Sequence, residues 1–284
     1  MIIFCSYRYI SYLVDALESE NHCNDMVVKD IIDALEEFAP LGIQEKWDNS
    51  GLIIGSPSAQ VHKVLIGFDC TPELVDEAVA DGADMIITHH PLIFGGVKKI
   101  SPDDPVGLTI MKAISGNVAV YAAHTTADKV IAGVSGAMAA RLGLEDVEIL
   151  EKDGDGVGLG AVGNLPEEID AQEAVAMVKN KFHLVAARCS RHAGVKVRRI
   201  AMCGGSGSSL IDEAMASGAQ LYISGDISYH HFFTRPGFMI MDIGHFESEV
   251  DIVDILFSVI TKKFPNFAVR KSAGLAESNP VLYV

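Results

Sequence analysis

Histidine and carboxylate side chains recur at fixed spacings in this chain. His124 and Asp128 lie in Tyr121–Asp128, YAAHTTAD, and His245 and Glu249 lie in Asp242–Glu249, DIGHFESE. Separation by four residues at a helix start places two side chains on one face, about one turn apart. His89 and His90 are adjacent and precede Pro91. On a continuing strand their side chains point to opposite faces. They serve one site only if the backbone turns there or the site holds two ions. Asp226, His230 and His231 form a further polar cluster. At least one of these is expected to orient another group or carry protons.

Nitrogen and oxygen donors of this kind suit Zn²⁺, Mn²⁺, Fe²⁺ or Ni²⁺ better than Ca²⁺ or thiolate-loving ions. A carboxylate can bridge two ions, and that role is assigned to Asp128. Two ions about 3.5–4 Å apart can polarise a substrate and activate water near neutral pH. Each residue also has a plainer role. Asp128 stands just before a helical pattern and could cap it. His124 could bond a carbonyl. An acidic residue near a helix start is favoured by the dipole, but Glu247 and Asp251 can serve there, which leaves Glu249 for ligation.

The donors sit at the ends of a duplicated unit. Lys63–His90, KVLIGFDCTPELVDEAVADGADMIITHH, matches Arg199–Asp226, RIAMCGGSGSSLIDEAMASGAQLYISGD. Leu74, Asp76, Glu77, Ala78, Ala80, Gly82, Ala83 and Ile87 recur as Leu210, Asp212, Glu213, Ala214, Ala216, Gly218, Ala219 and Ile223. Each copy reads as strand, turn, amphipathic helix and strand. A duplicated unit of this size folds into two related halves. The repeat also sets His124 against His245, Asp128 against Glu249, and His89-His90 against Gly225-Asp226. Gly204–Ser209, between a strand and a helix, could hold a phosphate on its N–H groups, or could be only a tight turn. It lacks the Gly-Lys-Ser/Thr ending of a P-loop.

The intervening pattern predicts the elements that position these residues. A helix follows Met26, with Val28, Ile31, Ile32, Leu35 and Phe38 at helical spacing, and Pro40 stops it. Strands are expected at Leu52–Ile54, Val64–Phe68, Met85–Thr88, Val118–Ala122, Leu184–Arg188, Leu221–Ser224 and Phe238–Ile243. Helices are expected at Pro72–Ala80, Leu108–Ser115, Val130–Leu142, Ala171–Phe182, Ser208–Ala216 and Phe246–Phe264. Gly156–Leu165 reads as extended, and the charged stretch Glu145–Asp155 as the link between halves. Strands alternating with helices indicate an α/β fold with a largely parallel core, in which binding residues collect beyond strand C-termini. The expected organisation is two pseudo-repeated lobes, 26–144 and 145–284, each a sheet flanked by helices, with a di-metal site between them.

The chain has 284 residues and a formal charge of −16. That charge repels nucleic-acid backbones and anionic lipid, so neither nucleic acid nor membrane is an expected partner. The five cysteines form no Cys-x-x-Cys pair, a reduced-compartment pattern that predicts a cytoplasmic protein. Residues 1–25 lack the features of a signal peptide. They read as an extension ahead of a fold starting at Met26, or as a short surface helix over Tyr9–Leu17.

Seven motifs in order make a specific resemblance. They are WDNSGL (Trp47–Leu52), HHPLIF (His89–Phe94), HTTAD (His124–Asp128), CGGSG (Cys203–Gly207), GDISYH (Gly225–His230), HFESE (His245–Glu249) and Asn279-Pro280. From Met26 onward the chain resembles the YbgI-type dinuclear-metal family, labelled GTP cyclohydrolase I type 2. The family pattern commonly has Asn at the place of Thr126 and a larger residue at Ala127, a departure on the pocket wall. The resemblance implies a two-metal site from His89, His90, Asp128, His245 and Glu249. It also implies a toroidal homohexamer, a trimer of dimers. The expected function is metal-dependent hydrolysis of a nucleotide-like substrate, with His124 or His230 moving protons and Asp226 orienting a histidine. The rival readings are a metal-dependent phosphoesterase and a non-enzymatic metal-binding or metal-delivery ring.

Overall fold

The computed structural model describes residues 26–284. The expectations for residues 1–25, including the surface helix, lie outside them. The described chain divides into two compact units. One contains Asn49–Ala123 and Leu256–Gly274 with the chain up to Phe38. The other contains Ala39–Asp48, His124–Ile255 and Leu275–Val284. The units therefore interleave along the chain, and the second takes up at His124 rather than at Glu145.

The first unit begins with helix α1 (Val28–Phe38), which buries Val28, Ile31, Ile32, Ala34 and Leu35 on one face. Strand β1 (Gly51–Ile54) is followed by β2 (Lys63–Ile66), helix α2 (Pro72–Asp81) and β3 (Met85–Thr88). The Thr71 hydroxyl caps α2 by accepting from the Leu74 amide at 3.2 Å, and Gly82 ends it in the left-handed conformation. Helix α3 (Pro105–Ser115) is capped by Asp104, and β4 (Ala119–Ala122) follows. Both β3 and β4 are buried along their whole length, as strands covered on both faces must be.

In the second unit, α4 (Thr125–Asp128) and α5 (Val134–Leu142) precede β5 (Glu145–Lys152) and β6 (Gly158–Asp170). Then come α6 (Ala171–Lys181), β7 (Arg188–Cys189), β8 (Lys196–Ser206), α7 (Ile211–Ala216), β9 (Leu221–Gly225), β10 (Met239–Asp242) and α8 (His245–Glu249). The sheet order is β5-β6-β8-β9-β10-β7, with the parallel run β8-β9-β10 at its centre. Met138, Ala139 and Leu142 of α5 pack with β6 and β8 side chains in one core, which is why residues before Glu145 belong to this unit. Helix α9 (Ile252–Lys263) leads to β11 (Ala268–Lys271), which adds to the first sheet parallel to β2. That sheet runs β1-β4-β3-β2-β11.

Four details differ from the sequence pattern, the first being that the strand expected at Leu184–Arg188 is only the short pairing Arg188–Cys189. Glu145–Lys152 is a strand, not a link, antiparallel to β6. It lies at a sheet edge, where charges are tolerated, and buries only Ile149. The helix expected over Phe246–Phe264 is two helices, α8 and α9. Strand β11 gives no apolar signal because it too is a largely exposed edge.

The repeat is visible in strand pairing. Thr88 pairs with Ala122 in β3–β4, and Ser224 pairs with Asp242 in β9–β10. The Ala123 amide donates to Thr88 O and the Ile243 amide to Ser224 O, each at 2.9 Å. The strands ending at Thr88 and Ser224 thus hold equivalent places. Pairing sets Ala122, not Tyr121, against Asp242. The second copy spends one more residue before its histidine, at Gly244, whose φ of 94° suits glycine.

Candidate metal centre

The first unit presents His89 and His90 beyond the end of β3. Both backbone amides donate to the same carbonyl, Phe68 O, at 3.1 and 3.3 Å. The Thr88 hydroxyl donates to His90 O at 2.8 Å. Strand alternation therefore ends at Thr88, and the two rings stand with centroids 4.9 Å apart. This is the backbone turn that a shared use of both rings requires. His89 is fully buried and stacks on Phe68. Its Nδ1 lies 2.9 Å from Ala123 O, and His90 Nδ1 lies 2.7 Å from Asp69 Oδ1. A carbonyl or a carboxylate can only accept, so Nδ1 carries the proton in each ring and Nε2 carries the lone pair.

The second unit repeats this logic twice. His124 is buried, and its Nδ1 donates to Asp48 Oδ1 at 2.7 Å. The other Asp48 oxygen accepts from the Thr125 hydroxyl at 2.5 Å and the Thr125 amide at 3.1 Å. His245 Nδ1 donates to Asp226 Oδ2 at 2.7 Å, and its Nε2 lies 3.0 Å from Glu249 Oε2. Asp226, singled out by the repeat, is thus the carboxylate hydrogen-bonded to His245. Asp226 holds φ at 51°, a conformation aspartate tolerates better than most residues.

Asp128 closes α4, and the next residue anchors it. The buried Lys129 ammonium bonds Glu45 at 2.8 Å and also Asp153. Burial alone lowers the Lys129 pKa, but these two carboxylates outweigh it and hold it raised. Asp128 and the buried Glu249 both act on Cys203. Burial, then these two charges, push that thiol far above its ordinary range. Two carboxylates of the donor set therefore share one neighbourhood in this unit.

The glycine loop does different work from phosphate binding. Gly205 N donates to Ser248 Oγ at 2.9 Å, and Gly207 N donates to Ser224 Oγ at 3.0 Å. These N–H groups are spent inside the fold. The loop's glycines make room instead. A Cβ on Gly205 would fall 2.2 Å from Glu249 Oε1, and one on Gly204 would fall 3.0 Å from Glu249 Cγ. A Cβ on Gly225 would meet His245 backbone at 2.9 Å. His230 lies in the exposed turn Tyr229–Phe232, edge-on to Tyr229. Thr126 and Ala127 are both buried.

Sequence reasoning missed Asp48, Asp69 and Ser248. Asp48 sits in the WDNSGL motif and Asp69 follows β2, but nothing in spacing alone ties an aspartate to a histidine tens of residues away. The donor set fits a divalent metal. The described chain holds His and acidic groups that could bind such an ion, drawn from His89, His90, His124, Asp128, His245 and Glu249. A histidine fixed at Nδ1 by a carboxylate or carbonyl is the usual support for a metal-ligating Nε2.

A mixed α/β fold of two pseudo-repeated lobes, carrying paired His and carboxylate donors, defines the class. The chain belongs to the Duf34/NIF3 (NGG1p interacting factor 3) family, whose model matches residues 26–280. It is 36% identical over 227 residues to a protein of Clostridium acetobutylicum named "GTP cyclohydrolase 1 type 2 homolog", covering 78% of this chain and 85% of that one. A solved hypothetical protein of Staphylococcus aureus superposes with a TM-score of 0.84 at 26% identity, covering 92% of this chain and all of the other. The protein ybgI, described as of unknown function, shares the fold with a TM-score of 0.75 at 21% identity, over 87% and 98% of the two chains. Among the described residues, no helix is long and apolar enough to cross a membrane.

Proposed function

We propose that this protein is a dinuclear metal-dependent hydrolase acting on a nucleotide-like substrate. His89, His90, Asp128, His245 and Glu249 are the ligands in this reading, with Asp128 as the bridge. The observation that carries it is the common support of the histidines. His89, His90, His124 and His245 each have Nδ1 held by a carbonyl or carboxylate oxygen at 2.7–2.9 Å. These anchors turn Nδ1 of each ring toward the protein and leave Nε2 as the ligating atom of the neutral ring, whereas core histidines have no need of a common orientation.

Two divalent ions, when bound, would supply Lewis acidity and activation of water near neutral pH. The chain's own groups do the rest. Asp69, Asp48, Asp226 and the Ala123 carbonyl orient the rings and raise their basicity. His124, held by Asp48, is placed to move a proton. His230 is assigned the same task at the exposed turn. The nucleotide-like substrate rests on the printed name of the relatives and on the resemblance in motifs. The same resemblance supports a homohexamer, and the cysteine pattern supports a cytoplasmic location.

The test is turnover of a nucleotide panel by the purified, metal-loaded protein, with metal analysis of the same sample. Hydrolysis of one purine nucleotide that is lost on chelation and restored by metal supports the reading. Two bound ions without turnover of any member favours the metal-delivery alternative. Release of inorganic phosphate alone favours a phosphoesterase.

A further inference from the structure

The metal centre proposed above leaves the C-terminal segment without a task, yet that segment reaches the turn that carries His245. Helix α8 spans only His245–Glu249. A helix of one turn does not hold itself. It is entered through Gly244, at φ 94° and ψ 150°, a region open essentially to glycine. The turn therefore depends on outside contacts. Within the turn, the Gly244 amide donates to Asp242 Oδ1 at 3.0 Å and the Ser248 hydroxyl donates to His245 O at 2.7 Å. From outside, Asp226 accepts from His245 Nδ1 at 2.7 Å and the Gly205 amide donates to Ser248 Oγ at 2.9 Å.

Glu247 adds a further contact. Its carboxylate folds back beneath Gly244, so that a Cβ there would lie 2.1 Å from Glu247 Oε2 and 2.8 Å from the Tyr283 hydroxyl. The Asn279 side-chain amide donates to Glu247 Oε1 at 3.0 Å. The Tyr283 hydroxyl stands beside the same carboxylate under Gly244, whose charge raises the phenol's pKa after burial does. Asn279 is itself fixed, because its Oδ1 accepts from the Val281 amide at 3.0 Å. The C-terminal segment thus grips one acidic side chain from two positions. That side chain fills the space under the glycine that precedes His245. A charge near a helix start is favoured by the dipole, and here the Asn279 amide holds it with the Tyr283 hydroxyl alongside.

We propose that Glu247, clamped by Asn279 and Tyr283, is a positioning residue for His245, and that the C-terminal segment is a working part of the metal centre. Releasing the clamp lets α8 swing about Gly244 and loosens the ion that His245 and Glu249 hold. The ion held mainly by His89 and His90 stays. Neither Asn279 nor Tyr283 touches a metal.

The experiment uses the full chain loaded with Zn²⁺ and, separately, Co²⁺. Release of each ion to a chromophoric chelator is followed for the wild type, Asn279→Ala, Asn279→Gln, Tyr283→Phe and Glu247→Gln. Melting of each metal-free protein is recorded alongside. Asn279→Ala is expected to release one ion at least about ten-fold faster, as losses of supporting groups do. It should also shift the visible Co²⁺ bands, with the other ion and the metal-free melting temperature unchanged. Asn279→Gln should recover part of the effect. Two ions leaving at wild-type rates with unchanged Co²⁺ bands overturns the clamp while leaving the metal centre standing. Equal acceleration of both ions with a lowered metal-free melting temperature also overturns it, as general loosening. A wild-type chain that takes up no metal overturns the metal reading, and the clamp with it.

Discussion

Each metal-type histidine in this chain is half of a pair, and the other half decides what it can do. Asp226 holds His245 at 2.7 Å but is half exposed itself, so its loss leaves no buried charge behind. Asp226→Asn is expected to keep metal while weakening affinity or turnover about 10–100-fold. A chelator titration checks this, and complete loss of both ions would show Asp226 to be a ligand. Gly205 is a sharper test of space. A methyl group there strikes Glu249 Oε1 at 2.2 Å, at a φ of 59°. Gly205→Ala should displace Glu249 and destabilise the protein by about 1–3 kcal/mol. Unchanged denaturation and metal content would mean that the loop yields freely.

At the scale of elements, the parts that position the donors are ordinary and legible. Thr71, Pro72 and Gly82 mark both ends of α2, and the buried runs Met85–Thr88 and Ala119–Ala122 are parallel strands. Because the cap on α2 is separate from the donors, Thr71→Ala should cost about 1 kcal/mol of stability. Metal content should not change. Urea denaturation with metal analysis checks both, and metal loss without a stability change would contradict this division of labour. The elements that escaped were edges. Glu145–Lys152 and Ala268–Lys271 are exposed on most positions, so they lack the apolar alternation by which strands are read. The split of the last helix escaped because Val250, Val253, Leu256 and Ile260 keep helical spacing across the break. The candidate donors of the His-x-x-x-carboxylate pairs were legible because the duplication doubled them, and His89-His90 because adjacent histidines end a buried strand pattern. Apart from Asp226, their supports were not: Asp48 and His124 are 76 residues apart, as only the fold reveals.

Among the described residues, thiols are withdrawn from solvent as well as donors: Cys203 is buried and Cys70 and Cys189 are half-buried. Burial, then the neighbouring Asp69 charge, push Cys70 up to about 12 from an ordinary 9.0. Burial pushes Cys189 up to about 11. These thiols are protonated in the fold at pH values where the unfolded chain has lost its protons. Their contribution to stability is therefore full below pH 9 and declines as pH rises from 9 toward 12. Native protein at pH 8 should react slowly at Cys70, Cys189 and Cys203 with a thiol reagent, and rapidly once unfolded. Fast labelling of Cys203 in the native state would contradict its buried place beside Asp128 and Glu249.

The central claim is that the anchored histidines and two carboxylates hold two ions. Elemental analysis of the purified full chain, wild type beside Asp128→Ala and His245→Ala, tests it most directly. The account predicts two divalent ions per wild-type chain and fewer than two in each variant, with Asp128→Ala losing most because the bridge goes. A wild-type chain without bound metal after loading, or an Asp128→Ala chain that still carries two ions, would contradict it.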